Sequence, residues 1–171
     1  MWVAFAANGS SSSTAGLFVK RLLPTVGATT KVPRSSEGSD TLTPSQSTAF
    51  VARPGGGLYV ASCIGYPTCT KVGLWRVGAD HPVTVPGSGG ARDIALATGP
   101  GGRLWIAWTT YHAVKVVHTG PTGAHLSRVR TVRPPRAAPD LYGISIAGTN
   151  RSVDVVINNG SALYHRRIGL R

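Results

Sequence analysis

Trp108, Tyr111 and His112 fall within one pentapeptide, and an indole, a phenol and an imidazole so spaced could stack on a sugar or other planar ligand and hydrogen-bond to it. Arg128, Arg130, Arg133 and Arg136 are the nearest approach to a basic cluster, with Arg166 and Arg167 as a second pair. Alternate arginines such as Arg128 and Arg130 lie on one face of a strand, which would make a basic stripe. The chain carries 18 basic against 6 acidic side chains, a net charge of +12 that favours polyanions. Its charges are scattered, however. The expectation is therefore a ligand-free surface turn at Tyr111 and His112 and a solvated outer strand at the arginines, with nucleic acid disfavoured.

Cys63 and Cys69 bound a seven-residue loop containing Gly65 and Pro67, residues suited to folding back. A disulfide in an oxidising compartment is the first reading and free thiols the second. No further Cys/His pair stands at a ligand spacing, so neither metal nor cofactor is expected. The sequence has no Gly-x-Ser-x-Gly elbow, His-Glu-x-x-His, phosphate-binding glycine loop or calcium loop. Its one glutamate, Glu37, lies in a Ser/Gly-rich loop, and Asp40, Asp80, Asp93, Asp140 and Asp154 form no recognisable catalytic pair. His118, His125 and His165 read as exposed strand or turn residues.

The elements that would position these groups show themselves by repetition. The stretch from Ala49 to Ala61, Ala-Phe-Val-Ala-Arg-Pro-Gly-Gly-Gly-Leu-Tyr-Val-Ala, recurs 46 residues on from Ala95 to Ala107, with six of thirteen positions identical. Each copy reads as strand, Pro-Gly-Gly turn, strand. A weaker copy runs from Ile144 to Val156, with Thr149-Asn150 in place of Pro-Gly, and Trp2 to Phe5 matches the second strand alone. In that weaker copy Asp154 takes the place of the aromatic at Trp2, Tyr59 and Trp105, which reads as degeneration of an edge blade or pairing with a neighbouring arginine ahead of a functional site. Third strands are predicted at 16–21, 73–77, 113–117 and 162–166, and fourth strands at 30–32, 82–85 and 128–132.

Four strands with a period in the forties make a propeller blade, because a small sheet that is apolar on both faces must stack on neighbours. The fold class is thus all-β: a β-propeller fragment of three to four four-stranded antiparallel blades in one partial domain, 1–171. The predicted blades are 1–36 without its first strand, 47–87, 92–134, and 141–171 without its last. An arc of this kind would need the remaining blades of a longer protein. The loops at 10–13 and 33–44 belong within and between blades.

The motif Gly99-Pro100-Gly101-Gly102-Arg103-Leu104-Trp105-Ile106 resembles the blade repeat of virginiamycin B lyase (streptogramin lyase)-like propellers, Gly-Pro-Asp-Gly-x-Leu-Trp-Phe, with Gly101 for Asp and Ile106 for Phe. Sialidase-like propellers are similar in architecture, but their Asp-box is absent. The resemblance implies a fold and brings no catalytic residue. The functional expectation is a non-catalytic recognition scaffold for a protein or glycan, extracellular or at the cell surface of a bacterium, with no signal peptide in this chain and no membrane span. The alternatives are part of a lyase-like or glycosidase-like enzyme whose catalytic residues lie elsewhere, and polyanion binding by the basic strands.

Overall fold

Strands rich in Val, Ile, Leu and aromatic residues, separated by glycine turns, pair in a computed structural model that describes residues 1–7, 9–11, 13–35, 48–65, 68–123, 125–133 and 143–170. The first sheet holds β1 (Trp2–Ala7), β2 (Gly16–Arg21) and β3 (Thr29–Lys31). The second holds β4 (Ala49–Ala52), β5 (Leu58–Ile64), β6 (Lys71–Arg76) and β7 (Val83–Thr84). The third holds β8 (Ile94–Thr98), β9 (Leu104–Thr109), β10 (Val114–His118) and β11 (Arg130–Val132). The fourth holds β12 (Gly143–Gly148), β13 (Ser152–Asn158) and β14 (Leu163–Gly169). Each strand pairs antiparallel with the next in its sheet.

The repeat is a repeat of register. Val51 lies opposite Tyr59, and Ala97 opposite Trp105. The turns match too: the Arg53 and Gly99 amides donate to the Gly57 and Arg103 carbonyls at 3.0 and 2.9 Å. Gly101 and Gly102 have φ of 79° and 81°, so only glycine enters this turn without strain. In the third copy Thr149 takes over by a different route. Its Oγ1 accepts the amides of Arg151 and Ser152 at 3.2 and 2.8 Å, a side-chain closure that needs no glycine.

Alternation along the central strands then fixes how the sheets stack. In β5, Leu58 and Val60 pack with Leu17, Val19 and Val32 of the first sheet, while Tyr59, Ala61 and Cys63 face the third. In β9, Leu104, Ile106 and Trp108 face the second sheet, while Trp105 and Ala107 join Val153, Val155 and Ile157 of the fourth. All residues of both strands are buried. Burial of each Leu, Ile or Val contributes about 1.5–3 kcal/mol, so the three seams, and not any one sheet, hold the core.

Polar ties cross the seams. The Arg53 guanidinium donates to the carbonyls of Gly102 and Pro121 in the third sheet's turns. Trp105 Nε1 donates to the Thr149 carbonyl at 2.9 Å, with its ring so close to Gly148 that an added Cβ would lie 2.7 Å from Cδ1. Asp93, just before β8, accepts the Ile144 amide through Oδ2 at 2.8 Å and the Ile94 amide through Oδ1 at 2.9 Å. These ties set inner strand β12 against β8 and β9.

Three sequence expectations differ from the structure. The strand predicted over 128–132 is confined to β11, because a bulge intervenes: Ser127 pairs with His118, whereas Arg130 is opposite Val116. His118, expected to be exposed, is half-buried against Trp105, with ring centroids 5.0 Å apart. Thr30–Val32 contributes only Thr30 and Lys31 to β3, while Val32 turns into the core. Glu37, Asp40, Arg136 and Asp140 lie outside the described residues, as do Tyr66, Pro67 and most of the 33–44 loop.

Two measurements check this packing. Trp108 is fully buried, and its Nε1 has no acceptor among the described residues, unlike Trp105 Nε1. Trp105→Phe and Trp108→Phe both remove ring volume, but only the first strands a carbonyl. Urea unfolding should find Trp105→Phe less stable than Trp108→Phe by about 1 kcal/mol. Burial raises the Asp93 carboxyl above its ordinary value, although the two amides pull it down. Its folded form therefore prefers the proton, so this group's contribution is full below the unfolded carboxylate range and is lost as pH rises through the folded value. Asp93→Asn should flatten that part of the pH–stability profile, and Asp93→Ala should cost about 1–3 kcal/mol by leaving the Ile144 amide unpaired.

Candidate functional site

Antiparallel order gives the arc two ends. One carries the β5–β6 and β9–β10 turns and the β7–β8 connection, and the other carries the hairpin turns within β4–β5, β8–β9 and β12–β13.

At the first end the Cys63–Cys69 disulfide closes the β5–β6 turn, with Cα atoms 5.4 Å apart. The Gly90 amide donates to the Cys69 carbonyl at 2.7 Å, which ties this loop to the segment leading into β8. Ser88 anchors that segment from below, accepting the Val72 amide at 2.8 Å and donating to the Val85 carbonyl at 2.6 Å. Two residues after Gly90, the Arg92 amide donates to the Thr109 carbonyl at 2.9 Å, and its guanidinium carbon stands 4.2 Å from the Tyr111 ring centroid. Tyr111 is 57% exposed, and the exposed His112 ring lies 6.2 Å from it. Thr110 closes the turn by donating its hydroxyl to the Ala113 carbonyl at 3.1 Å.

Tyr111 and His112 are therefore together on a surface turn, with Arg92 stacked on the phenol. Trp108 is apart from them. It shares the parity of Leu104 and Ile106, so its indole packs in the core between the second and third sheets beneath the turn. Arg92 is the residue that spacing alone did not bring to Tyr111. Its signal in the sequence is the polar pair Arg92-Asp93 set directly before a buried strand, where one residue anchors and the other overhangs.

The arginines are on another part of the molecule. Arg128 and Arg130 flank the bulge and line a cleft of about 290 Å³ with His118, Ser127 and Gly169, while Arg133 follows β11 and is exposed. Asp154 is on the outer face of the fourth sheet, where Arg167 grips both its oxygens at 2.9 Å and His165 Nε2 lies 2.8 Å from Oδ1. The Arg167 and then the His165 hydrogen bonds hold the Asp154 carboxyl below its ordinary value. That group is an exposed ion-pair cluster, worth little to stability.

Among the described residues no group of three or more His, Cys, Asp or Glu side chains could hold a metal, and no helix is long and apolar enough to cross a membrane.

No protein-family model matches the chain, and no curated protein matches it. Solved structures do. The chain is similar to the Aleuria aurantia lectin N224Q mutant in complex with Fucα1-6GlcNAc (TM-score 0.57, 12% identity, 97% of this chain and 57% of that one). The same lectin mutant with α-methyl-L-fucoside gives a TM-score of 0.56 at 13% identity over 90% of this chain and 48% of that one. An engineered GH43 glycoside hydrolase with endo-xylanase and exo-arabinofuranosidase activity gives 0.56 at 16% identity, over 97% of this chain and 36% of that one. The chain thus spans from about a third to just over half the length of these structures. At such identities the likeness is one of fold: an all-β chain of four antiparallel sheets arranged as part of a β-propeller.

Proposed function

We propose that the chain is a non-catalytic recognition scaffold that binds a glycan at the end carrying the β5–β6 and β9–β10 turns. The observation that carries this reading is the exposed Tyr111 ring, backed on one face by the Arg92 guanidinium and flanked by His112. A phenol held in this way is a pre-ordered amphipathic platform, and an imidazole beside it supplies a directional hydrogen bond. The disulfide loop and the segment tied to it by Gly90 and Ser88 would keep the platform rigid, lowering the entropy lost on binding. The fucoside ligands of the similar lectin support the choice of a glycan over a protein.

The virginiamycin B lyase-like repeat at Gly99 to Ile106 would be blade architecture only. A catalytic role would need a free acid at this end. Among the described residues Asp93 is the half-buried carboxyl there, and backbone amides engage both its oxygens. The units 1–36, 47–87, 92–134 and 141–171 would be successive blades. The disulfide accords with an oxidising, extracellular setting.

A neutral-glycan array that includes α-methyl-L-fucoside tests the reading. The chain should retain at least one oligosaccharide, and Tyr111→Ala should weaken that binding about tenfold with the melting temperature unchanged. Silence across the array, or equal binding by Tyr111→Ala, would refute it.

A further inference from the structure

Lysines and arginines on a protein surface are ordinarily solvated or met by acids. A cluster at the seam of the third and fourth sheets is different in its setting. Arg103, Trp105 and His118 share the face of the third sheet that turns toward the fourth, as do Arg130 and Val132 beyond the bulge. In the middle of this face Trp105, Val114 and Val116 pack on Val153, Val155 and Ile168. Toward the hairpin-turn end the apolar contact stops, and the 290 Å³ cleft of His118, Ser127, Arg128, Arg130 and Gly169 opens.

Its polar groups are partly committed. Arg130 Nη1 donates to the Gly169 carbonyl across the seam. His118 Nδ1 lies between Arg103 Nη1 at 2.9 Å and the Thr119 carbonyl at 3.1 Å, accepting from the first in one neutral tautomer and donating to the second in the other tautomer and in the imidazolium. His118 Nε2 has no partner among the described residues. Burial lowers the His118 pKa below its ordinary value, helped by the charges of Arg103 and Arg130 and opposed by the hydrogen bond to the Thr119 carbonyl. No described acid meets these cations. Asp154 is on the opposite face of the fourth sheet, Asp93 is tied to Ile144 at the other end of β8, and Asp80 follows β6 in the second sheet.

We propose that this cleft binds one multiply charged oxyanion, a sulfate or phosphate group, between the Arg128 and Arg130 guanidiniums and the His118 imidazole, whose protonated form the anion would favour. Guanidinium forks match the oxygen spacing of such groups. The site is separate from Tyr111 and stands whether or not the chain binds neutral glycans.

The test is an NMR titration of the whole chain with sodium sulfate and, separately, sodium phosphate, against sodium chloride at equal ionic strength. The His118 imidazole signals should shift saturably with sulfate, phosphate or both, and the His118 pKa should rise in that salt. The salt that saturates identifies the sulfate or phosphate class. Arg128→Ala, at an exposed position, should weaken binding about tenfold, whereas Arg133→Ala, outside the cleft, should not. Shifts that follow ionic strength equally in all three salts, or an Arg128→Ala curve that overlays the parent, would overturn the proposal.

Discussion

Two strands with no polar face govern this molecule. β5 and β9 are buried along their whole length, so neither sheet that contains them can present a solvated side. Water must be excluded from both faces at once, and only a neighbouring sheet on each side does that. The order of the four sheets, the apolar seams between them and the convergence of the inner strands all follow from this demand. The outer sheets meet it on one face only: Phe5 is 41% exposed on the first, and Val156 is 38% exposed on the fourth.

Much of this was legible in the sequence because it is written twice. The 46-residue repeat carries strand, turn and register together, so Tyr59 and Trp105 could be matched before any contact was known. Pro-Gly-Gly at two hairpins announced turns by composition. At the third hairpin a turn one residue shorter is closed by the Thr149 hydroxyl, a signal that depends on geometry and is weaker in composition. The Cys63–Cys69 bond was legible for a similar reason, since a short loop with Gly and Pro limits where its ends can go.

The surface was harder to read, and the reasons are particular. Trp108 and Tyr111 are three residues apart, yet the former ends a buried alternation and the latter begins a turn, so proximity in sequence did not put their rings on one surface. The bulge after Ser127 shifts the register by one residue, which no local propensity encodes, and this shift brings Arg128 into the seam cleft with Arg130. Arg92 meets Tyr111 only because β8 and β9 pair, a contact set by tertiary pairing and not by spacing. Fold was recoverable from pattern. Sites depended on which side chains the pattern delivered to the same place.

The parity of β9 has an evolutionary corollary. Its even positions fit the sheet before it, and its odd positions fit the sheet after it, so one short strand encodes a plug and a socket independently. A duplicated unit inherits both halves and can dock on its own parent without further change. Drift at Trp105 or Ala107 would alter only the downstream joint, leaving the upstream one intact. Growth by tandem copying is thus built into the alternation itself, and divergence can proceed one joint at a time.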